Sequence, residues 1–263
     1  MMTDLLLMLS PTNIVIFVLV MTRLSGMFVS APFFSTLPIP TQTKAVLVLS
    51  IAFMMYPFVA AHTGVLTTGL LDIPSLVILM LKEFVVGATI GFCAGLIFSG
   101  IQLAGQLLSI QMGLAISEIL DPVTQQNVPI LGQFYLFIAS LTFIFINGHI
   151  WLFESIYKSY NVIPVNYNFI FSGQLVETII YFVSQIFQIA FSIIMPIYAI
   201  LIITATVLGF MSKAMPQMNV FMVALPLKIY IGIALMIAFA IPTSTYIASL
   251  MQTLLQNIST MFS

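Results

Sequence analysis

The chain contains six long apolar segments, and their length and continuity constrain its fold more than any other feature. The segments are Ile14–Ser30, Ala45–Ala61, Ser75–Ile110, Ile130–Ile150, Thr178–Phe210 and Val220–Leu250. A helix needs roughly 20 apolar residues to cross about 30 Å of hydrocarbon, whereas the strands of a membrane barrel alternate apolar and polar residues. Because the runs here do not alternate, the sequence predicts an all-α fold of integral-membrane-type helical hairpins, forming one domain over residues 1–263.

Charged residues are too few to cover the surface of a soluble domain. They make up 5% of the 263 residues, against about 25% in soluble domains, and the mean hydropathy is +1.20. We therefore expect membrane lipid, other apolar subunits or both to surround the chain. The formal net charge is −1, which provides no basic field to bind nucleic acid.

Two of the apolar segments are longer than one simple crossing requires. At about 1.5 Å per residue, Ser75–Ile110 would reach about 54 Å and Thr178–Phe210 about 50 Å as continuous helices. They either project beyond the bilayer or bend, and Pro196 is the expected kink in the second. The stretch 151–173 carries Trp, Tyr and Asn residues typical of a membrane–water boundary, and we interpret it as a solvated connector with a short helix.

Four charged residues lie inside apolar segments, where a charge at the bilayer centre costs about 3 kcal/mol. They are Arg23, Lys82, Glu83 and Lys228. Such residues face a protein interior, a watery path or a partner, unless they snorkel to an interface. Both interpretations stay open for Lys82 and Glu83. Arg23 and Lys228 favour a buried partner, which could belong to another subunit because the chain has so few acidic residues.

Two stripes of residues recur at helical spacing. Small residues four apart let another backbone approach closely, from within the chain or from outside it. This row consists of Gly87, Gly91 and Gly95. Flexible methionines could seal against variable surfaces, although core packing is the more common meaning. This second stripe consists of Met211, Met215, Met218 and Met222.

The connection 106–128 mixes polar and apolar side chains in an unusual way. Its polar residues include Gln106, Gln111, Glu118 and Asp121, and Met112 is among its apolar ones. A plain exposed loop does not need such apolar residues, so the composition suggests a segment folded back into a watery cavity or a channel entrance. An ordinary surface loop with a short amphipathic helix is the open alternative.

Signals of catalysis and of cofactor binding are missing from the sequence. His62 and His149 have no acidic or cysteine neighbour at metal-ligand spacing. The sequence also contains no phosphate-binding glycine loop and no nucleophile elbow. We therefore expect a protein that is not an enzyme and that has no metal site and no cofactor.

Three stretches are more specific than composition. They are Thr22–Pro40 (TRLSGMFVSAPFFSTLPIP), Gly105–Pro122 (GQLLSIQMGLAISEILDP) and Ala214–Ile229 (AMPQMNVFMVALPLKI). In this order and at these separations they resemble the FliR family, the R subunits of the flagellar export gate, and its virulence type III secretion relatives. The resemblance covers essentially the whole chain. One departure is the loop after Ile39-Pro40, where many members carry several basic residues and this chain has only Lys44.

The resemblance implies a structural channel subunit of the flagellar type III export apparatus, at the basal body in the bacterial inner membrane. Its partners would be several P and Q subunits in a helical assembly, a large gate protein on the cytoplasmic side, and unfolded export substrates in transit. Residues 1–210 would be P-like and residues 211–263 Q-like. The family's pore plug would correspond to the connection that holds Gln106, Gln111, Met112, Gly113, Glu118 and Asp121. A secondary transporter of small solutes is the alternative, although no internal repeat is visible.

Overall fold

The structure is a computed structural model that describes residues 11–36, 40–62, 73–114, 129–165, 173–217 and 219–261. Every regular element within these ranges is a helix, which confirms the predicted all-α fold. The helices of the described residues are α1 (Pro11–Ser30), α2 (Pro32–Thr36), α3 (Thr41–His62), α4 (Ile73–Met112), α5 (Ile130–Phe145), α6 (Gly148–Val162), α7 (Gly173–Ala214), α8 (Val220–Ala238) and α9 (Ala240–Met261).

Local chemistry accounts for several helix boundaries. Pro11 and Pro32 are the first residues of α1 and α2, where a missing N–H group is tolerated. Helix α4 ends at Met112, and the glycine that follows, Gly113, has a φ of +83°, in the left-handed region that glycine adopts without strain. Between α5 and α6, Asn147 has a φ of 58°, and asparagine is one of the few other residues that adopt this conformation.

Several helices are long and apolar enough to cross a membrane. Four of the described helices meet this criterion, and up to six spans result if the α5–α6 and α8–α9 pairs each count as one. The second pair bends by 61°. Helices α4 and α7 have 40 and 42 residues, so both exceed one simple crossing, as predicted. Helix α7 continues as one helix through Pro196, the expected kink.

The chain divides into two compact units. Unit 1 contains residues 1–95, 147–180 and 253–263, and unit 2 contains residues 96–146 and 181–252. In unit 1, α1 packs against α2 and α3, and α3 packs against α6. The rings of Phe28 and Phe34 stack at 4.3 Å, and Phe153 of α6 stacks 6.2 Å from Phe28. Units of this kind reflect packing, so the single domain and its P-like and Q-like portions stay predictions.

In unit 2, the second part of α4 packs against neighbouring helices at close range. A Cβ atom built at Gly100 would lie 3.0 Å from the side chain of Ile189 on α7. The rings of Phe98 and Phe143 meet edge to face at 5.5 Å, which joins α4 to α5. Both contacts bury apolar surface along α4, which therefore forms part of the core of this unit.

The stretch 151–173 contains the predicted short helix, but the described part is not a solvated connector. Helix α6 buries one face, formed by Gly148, Leu152, Ser155, Ile156, Ser159 and Tyr160. These positions recur three and four residues apart, which is the spacing of one helical face. The Trp, Tyr and Asn residues in this stretch led to the wrong interpretation, because such side chains are typical of a membrane–water boundary.

Much apolar side-chain surface remains exposed on the chain. Phe53 of α3 is 67% exposed, Phe145 of α5 is 88% exposed, and Ile241 of α9 is 77% exposed. Soluble monomers rarely show large continuous apolar patches. Exposure of this kind on helices long enough to span a bilayer is consistent with an environment of lipid or of other apolar subunits.

Candidate functional site

Arg23 of α1 is completely buried, and among the described residues it is the largest side chain of which this is true. Its Nε donates a hydrogen bond to Oε2 of Glu83 at 2.6 Å, and its Nη2 donates one to Oε1 at 3.0 Å. Glu83 lies on α4 and is 3% exposed. The two parallel bonds hold the carboxylate in the fork of the guanidinium. Both charges are thus paired and hydrogen-bonded, as buried ions require.

The remaining contacts of Arg23 reach the C-terminal end of α6. Its Nη1 donates to Oγ of Ser159 at 2.8 Å, and its Nη2 also donates to the carbonyl oxygen of Ile163 at 3.0 Å. The guanidinium carbon lies 3.7 Å from the centroid of the Tyr160 ring, which is the geometry of a cation–π interaction. The guanidinium of Arg23 therefore joins α1, which carries it, to α4 and to the C-terminal end of α6, all within unit 1.

The structure supplies the charge partner of Arg23 within the same chain. Sequence reasoning left a partner in another subunit open, and Glu83, 60 residues away, takes that role. The neighbouring Lys82 is half-buried, because adjacent residues of a helix point to different faces. Sequence reasoning missed Ser159 and Tyr160 as partners of this charge. Their positions on the buried face of α6 were the available signal.

The glycine row of α4 lies against α1 and the start of α2. A Cβ atom built at Gly87 would overlap the carbonyl oxygen of Arg23, and one built at Gly91 would overlap Oγ of Ser30. At Gly95 the nearest atom would be 3.3 Å away. The sequence did not decide which helix the row contacts, and the structure places the first helix of the same chain there. The contact is tightest at Gly87.

Four of the six predicted plug residues are described, and they lie at the end of α4. They are Gln106, Gln111, Met112 and Gly113, of which only Met112 is fully buried. Its side chain packs against α8 at a glycine: a Cβ atom built at Gly232 would lie 2.6 Å from the Met112 sulfur. Gly113 faces the side chain of Leu225, also on α8. Glu118 and Asp121 lie outside the described residues.

Lys228 of α8 is half-buried. The two acidic side chains that the structure describes are both engaged elsewhere, since Glu83 pairs with Arg23 and Glu154 pairs with Lys158 at 3.0 Å. Neither of these two described carboxylates is therefore a partner of Lys228. A half-buried ammonium group in an apolar helix favours a negative partner.

The methionine stripe is exposed where it is described. Met211 is 38% exposed, Met215 is 52% exposed and Met222 is 73% exposed, whereas Met218 lies outside the described residues. The alternative that these three methionines pack in the core of this chain is therefore wrong. Their flexible side chains remain available to contact another surface.

The chemistry of the described residues is that of packing and charge pairing. Within those ranges, no group of three His, Cys, Asp or Glu residues could hold a metal ion. Cys93 is buried on α4, two residues from both Gly91 and Gly95 and therefore on a different face of the helix from the glycine row. The arrangement around Arg23 fixes three helix segments to one another, and its ions are shielded from solvent.

The sequence profile of a family described as "Bacterial export proteins, family 1" matches residues 14–257. The chain belongs to this family. The match begins in α1 and ends in α9, so the matched region of this chain contains the Arg23 cluster, the glycine row and the end of α4. The match confirms the family resemblance that the three stretches of sequence indicated.

Individual relatives agree with the family assignment. The flagellar biosynthetic protein FliR of Bacillus subtilis (strain 168) is 32% identical over 226 residues, which is 84% of this chain and 84% of the relative. The flagellar biosynthetic protein FliR of Escherichia coli (strain K12) is 25% identical over 225 residues, 82% of this chain and 80% of the relative. The surface presentation of antigens protein SpaR of Shigella sonnei is 30% identical over 176 residues, 65% and 68% of the two chains.

Proposed function

We propose that the chain is a structural, non-enzymatic channel subunit of the flagellar type III protein export apparatus. The profile match over residues 14–257 carries the proposal, because the family consists of bacterial export proteins. The FliR relatives match over 82% and 84% of this chain, whereas SpaR matches over 65%, which favours the flagellar branch. The comparisons give no support to the alternative of a secondary transporter.

We further propose that the chain works in a hetero-oligomer with the P and Q subunits of the gate. The complex lies at the flagellar basal body in the bacterial inner membrane, next to a large gate protein on the cytoplasmic side, and unfolded substrates pass through it. Exposed apolar side chains on several helices support a shared environment of lipid and subunits. The exposed methionines Met211, Met215 and Met222 support a flexible seal.

In this function, the connection from Gln106 to Asp121 acts as the plug that restricts the closed channel. Its first part supports the proposal, because Met112 is buried against Gly232 and Gly113 ends α4 with a left-handed turn. The segment that follows therefore starts from a point at the end of α4 that is packed against α8. A plug of this kind acts by its bulk, since its removal opens a path that side chains otherwise fill.

Deletion of residues 115–121 tests the plug without removing its anchor, because Met112 and Gly113 stay in place. The deletion variant is co-expressed with the P and Q subunits, and ion flux is measured in vesicles that contain the assembled complex. We expect the deletion to make the assembled gate leaky to small ions. The double variant Glu118→Gln, Asp121→Asn keeps the full length and is the matched control, which we expect to stay closed.

Unchanged ion flux in the deletion complex, with all subunits present, would contradict the plug function. A leak of equal size in the control would show that charge, and not bulk, restricts the channel. Uptake of a solute by the purified chain alone in liposomes would instead favour a transporter. The intact mass of the purified complex checks that each variant assembles before its flux is measured.

A further inference from the structure

The C-terminal end of α6 is held by Arg23 in a way that the rest of α6 is not. In the last turn, from Ser159 to Val162, two side chains are buried, and both of them contact Arg23. The first half of α6 packs by apolar contacts instead, such as the stacking of Phe153 on Phe28. The two halves of the helix are therefore fixed by different kinds of interaction.

Arg23 also caps the end of this helix. Ile163 follows the last residue of α6, and its carbonyl oxygen is one of the terminal acceptors that a helix cannot satisfy internally. A guanidinium group there donates a hydrogen bond and places a positive charge at the negative end of the helix dipole. The Ser159 hydroxyl group adds a second acceptor one turn earlier.

Glu83 makes this arrangement possible. A guanidinium group with full burial needs a paired anion, because an unpaired charge in an apolar interior is strongly destabilising. Glu83 neutralises Arg23 through two oxygens, which leaves Nη1 free to donate to Ser159 and lets Nη2 donate to Ile163 as well. The contacts on α4 and on α6 thus depend on the same planar group.

We propose that Arg23 and Glu83 form a latch that closes the C-terminal end of α6 onto α1 and α4. The latch comprises Arg23, Glu83, Ser159, the Tyr160 ring and the Ile163 carbonyl group. When the guanidinium is replaced, the end of α6 detaches while the α1–α4 contact remains. Arg23 is a positioning residue in this device, and the inference does not depend on the proposed export function.

Two cysteine reporters distinguish release of α6 from general unfolding. Cys93, the single native cysteine, is buried on α4 and reports on the fold of unit 1. Ser155 of α6 is buried, and its hydroxyl group bonds to the Trp151 carbonyl group of the same helix, so Ser155→Cys in a Cys93→Ala background reports on α6. The rates of maleimide labelling at Cys93 and at position 155 are measured with the full chain in native membranes.

The variant Arg23→Lys keeps a charge for Glu83 but lacks the planar fork that reaches Ser159 and Ile163. We expect it to raise the labelling rate at position 155 by about a hundredfold, the effect of losing two charge-assisted hydrogen bonds, and to leave Cys93 protected. Tyr160→Phe is the matched control: the Tyr160 hydroxyl group is buried and has no hydrogen-bond partner within the part of the chain that the structure describes, so its loss leaves both rates unchanged.

A protected position 155 in Arg23→Lys would overturn the proposal. So would equal rises at both reporters, since Arg23 would then hold the whole unit together and not only α6. If Arg23→Lys does not accumulate, Ser159→Ala provides the test, because it leaves the Arg23–Glu83 pair intact. It is expected to raise labelling at position 155 about tenfold, and an unchanged rate would refute the latch.

Discussion

Substitution of Gly87 by alanine should separate α1 from α4 and destabilise unit 1. The added Cβ atom would overlap the carbonyl oxygen of Arg23 and lie 2.8 Å from its carbonyl carbon. Ordinary contact begins at 3.4 Å, so the two backbones must move apart by more than about 0.6 Å. No change of rotamer can relieve this overlap, because all the atoms involved belong to the backbone.

The size of the effect follows from three terms, of which two oppose the third. Overpacking costs typically about 1–3 kcal/mol, and alanine returns about 1 kcal/mol of helix propensity. A third term adds to the cost, because the displaced residue is Arg23 itself and its bond to Glu83 is only 2.6 Å long. We therefore expect Gly87→Ala to lower the free energy of unfolding by about 3 kcal/mol, at the upper end of the overpacking range.

The same substitution at Gly95 and at Gly209 provides matched controls, because an added Cβ atom has more room at both positions. At Gly95 the nearest atom to an added Cβ is 3.3 Å away in the proline ring that follows α1, and at Gly209 of α7 there is no atom within 4 Å. Gly95→Ala should therefore be close to neutral. Gly209→Ala should stabilise the isolated chain by up to about 1 kcal/mol through helix propensity.

Thermal unfolding of the purified chain in detergent, followed by the loss of helical circular dichroism from the whole chain, measures this series. For a chain of this size, we expect Gly87→Ala to lower the midpoint by about 5–10 °C. The midpoint of Gly209→Ala should rise by about 2–4 °C. If the midpoint of Gly87→Ala lies within error of that of Gly209→Ala, the close approach of α1 to α4 is refuted.

Two further substitutions separate buried from exposed charge. Lys228→Gln should reduce co-purification with the P and Q subunits, because a half-buried ammonium group favours a carboxylate and the two described carboxylates, Glu83 and Glu154, pair elsewhere. Lys213→Gln, at an exposed position, is the control, and equal yields of the P and Q subunits with both variants would exclude a partner contact at Lys228. Glu154→Gln breaks a pair whose side chains are 45% and 32% exposed, so the free energy of unfolding should change by less than about 0.5 kcal/mol.

The helices were predictable from the sequence because their apolar runs are continuous and long. A run of about 20 apolar residues has few ways to satisfy its backbone in lipid, so the helix assignment follows from composition alone. The break at Asn147 was not predicted, since asparagine adopts left-handed backbone only where the surrounding structure favours it. The buried polar positions on α6 were also missed. Ser155 and Ser159 donate their hydroxyl groups to carbonyl oxygens of their own helix, so their polarity does not prevent burial.

The partner of Arg23 could not be identified from the sequence by counting acidic residues. Each of the charged residues in apolar segments has several possible partners, and sequence separation does not rank them. The structure brings Glu83 to Arg23 across 60 residues. The cluster therefore depends on how α1 and α4 pack, which is a property of the fold and not of either segment.

A sequence signal for that pair nevertheless exists, and it lies in the register of α4. Glu83 is four residues before Gly87, so it lies on the same face as the glycine row. Whichever helix packs closely on the glycines must also pass over a buried carboxylate and must bring a cation to it. The two features support each other, because close approach removes water from the pair, and the pair makes that approach specific for α1. Gly87→Ala should therefore weaken the Arg23 cluster as well as the packing of the two helices.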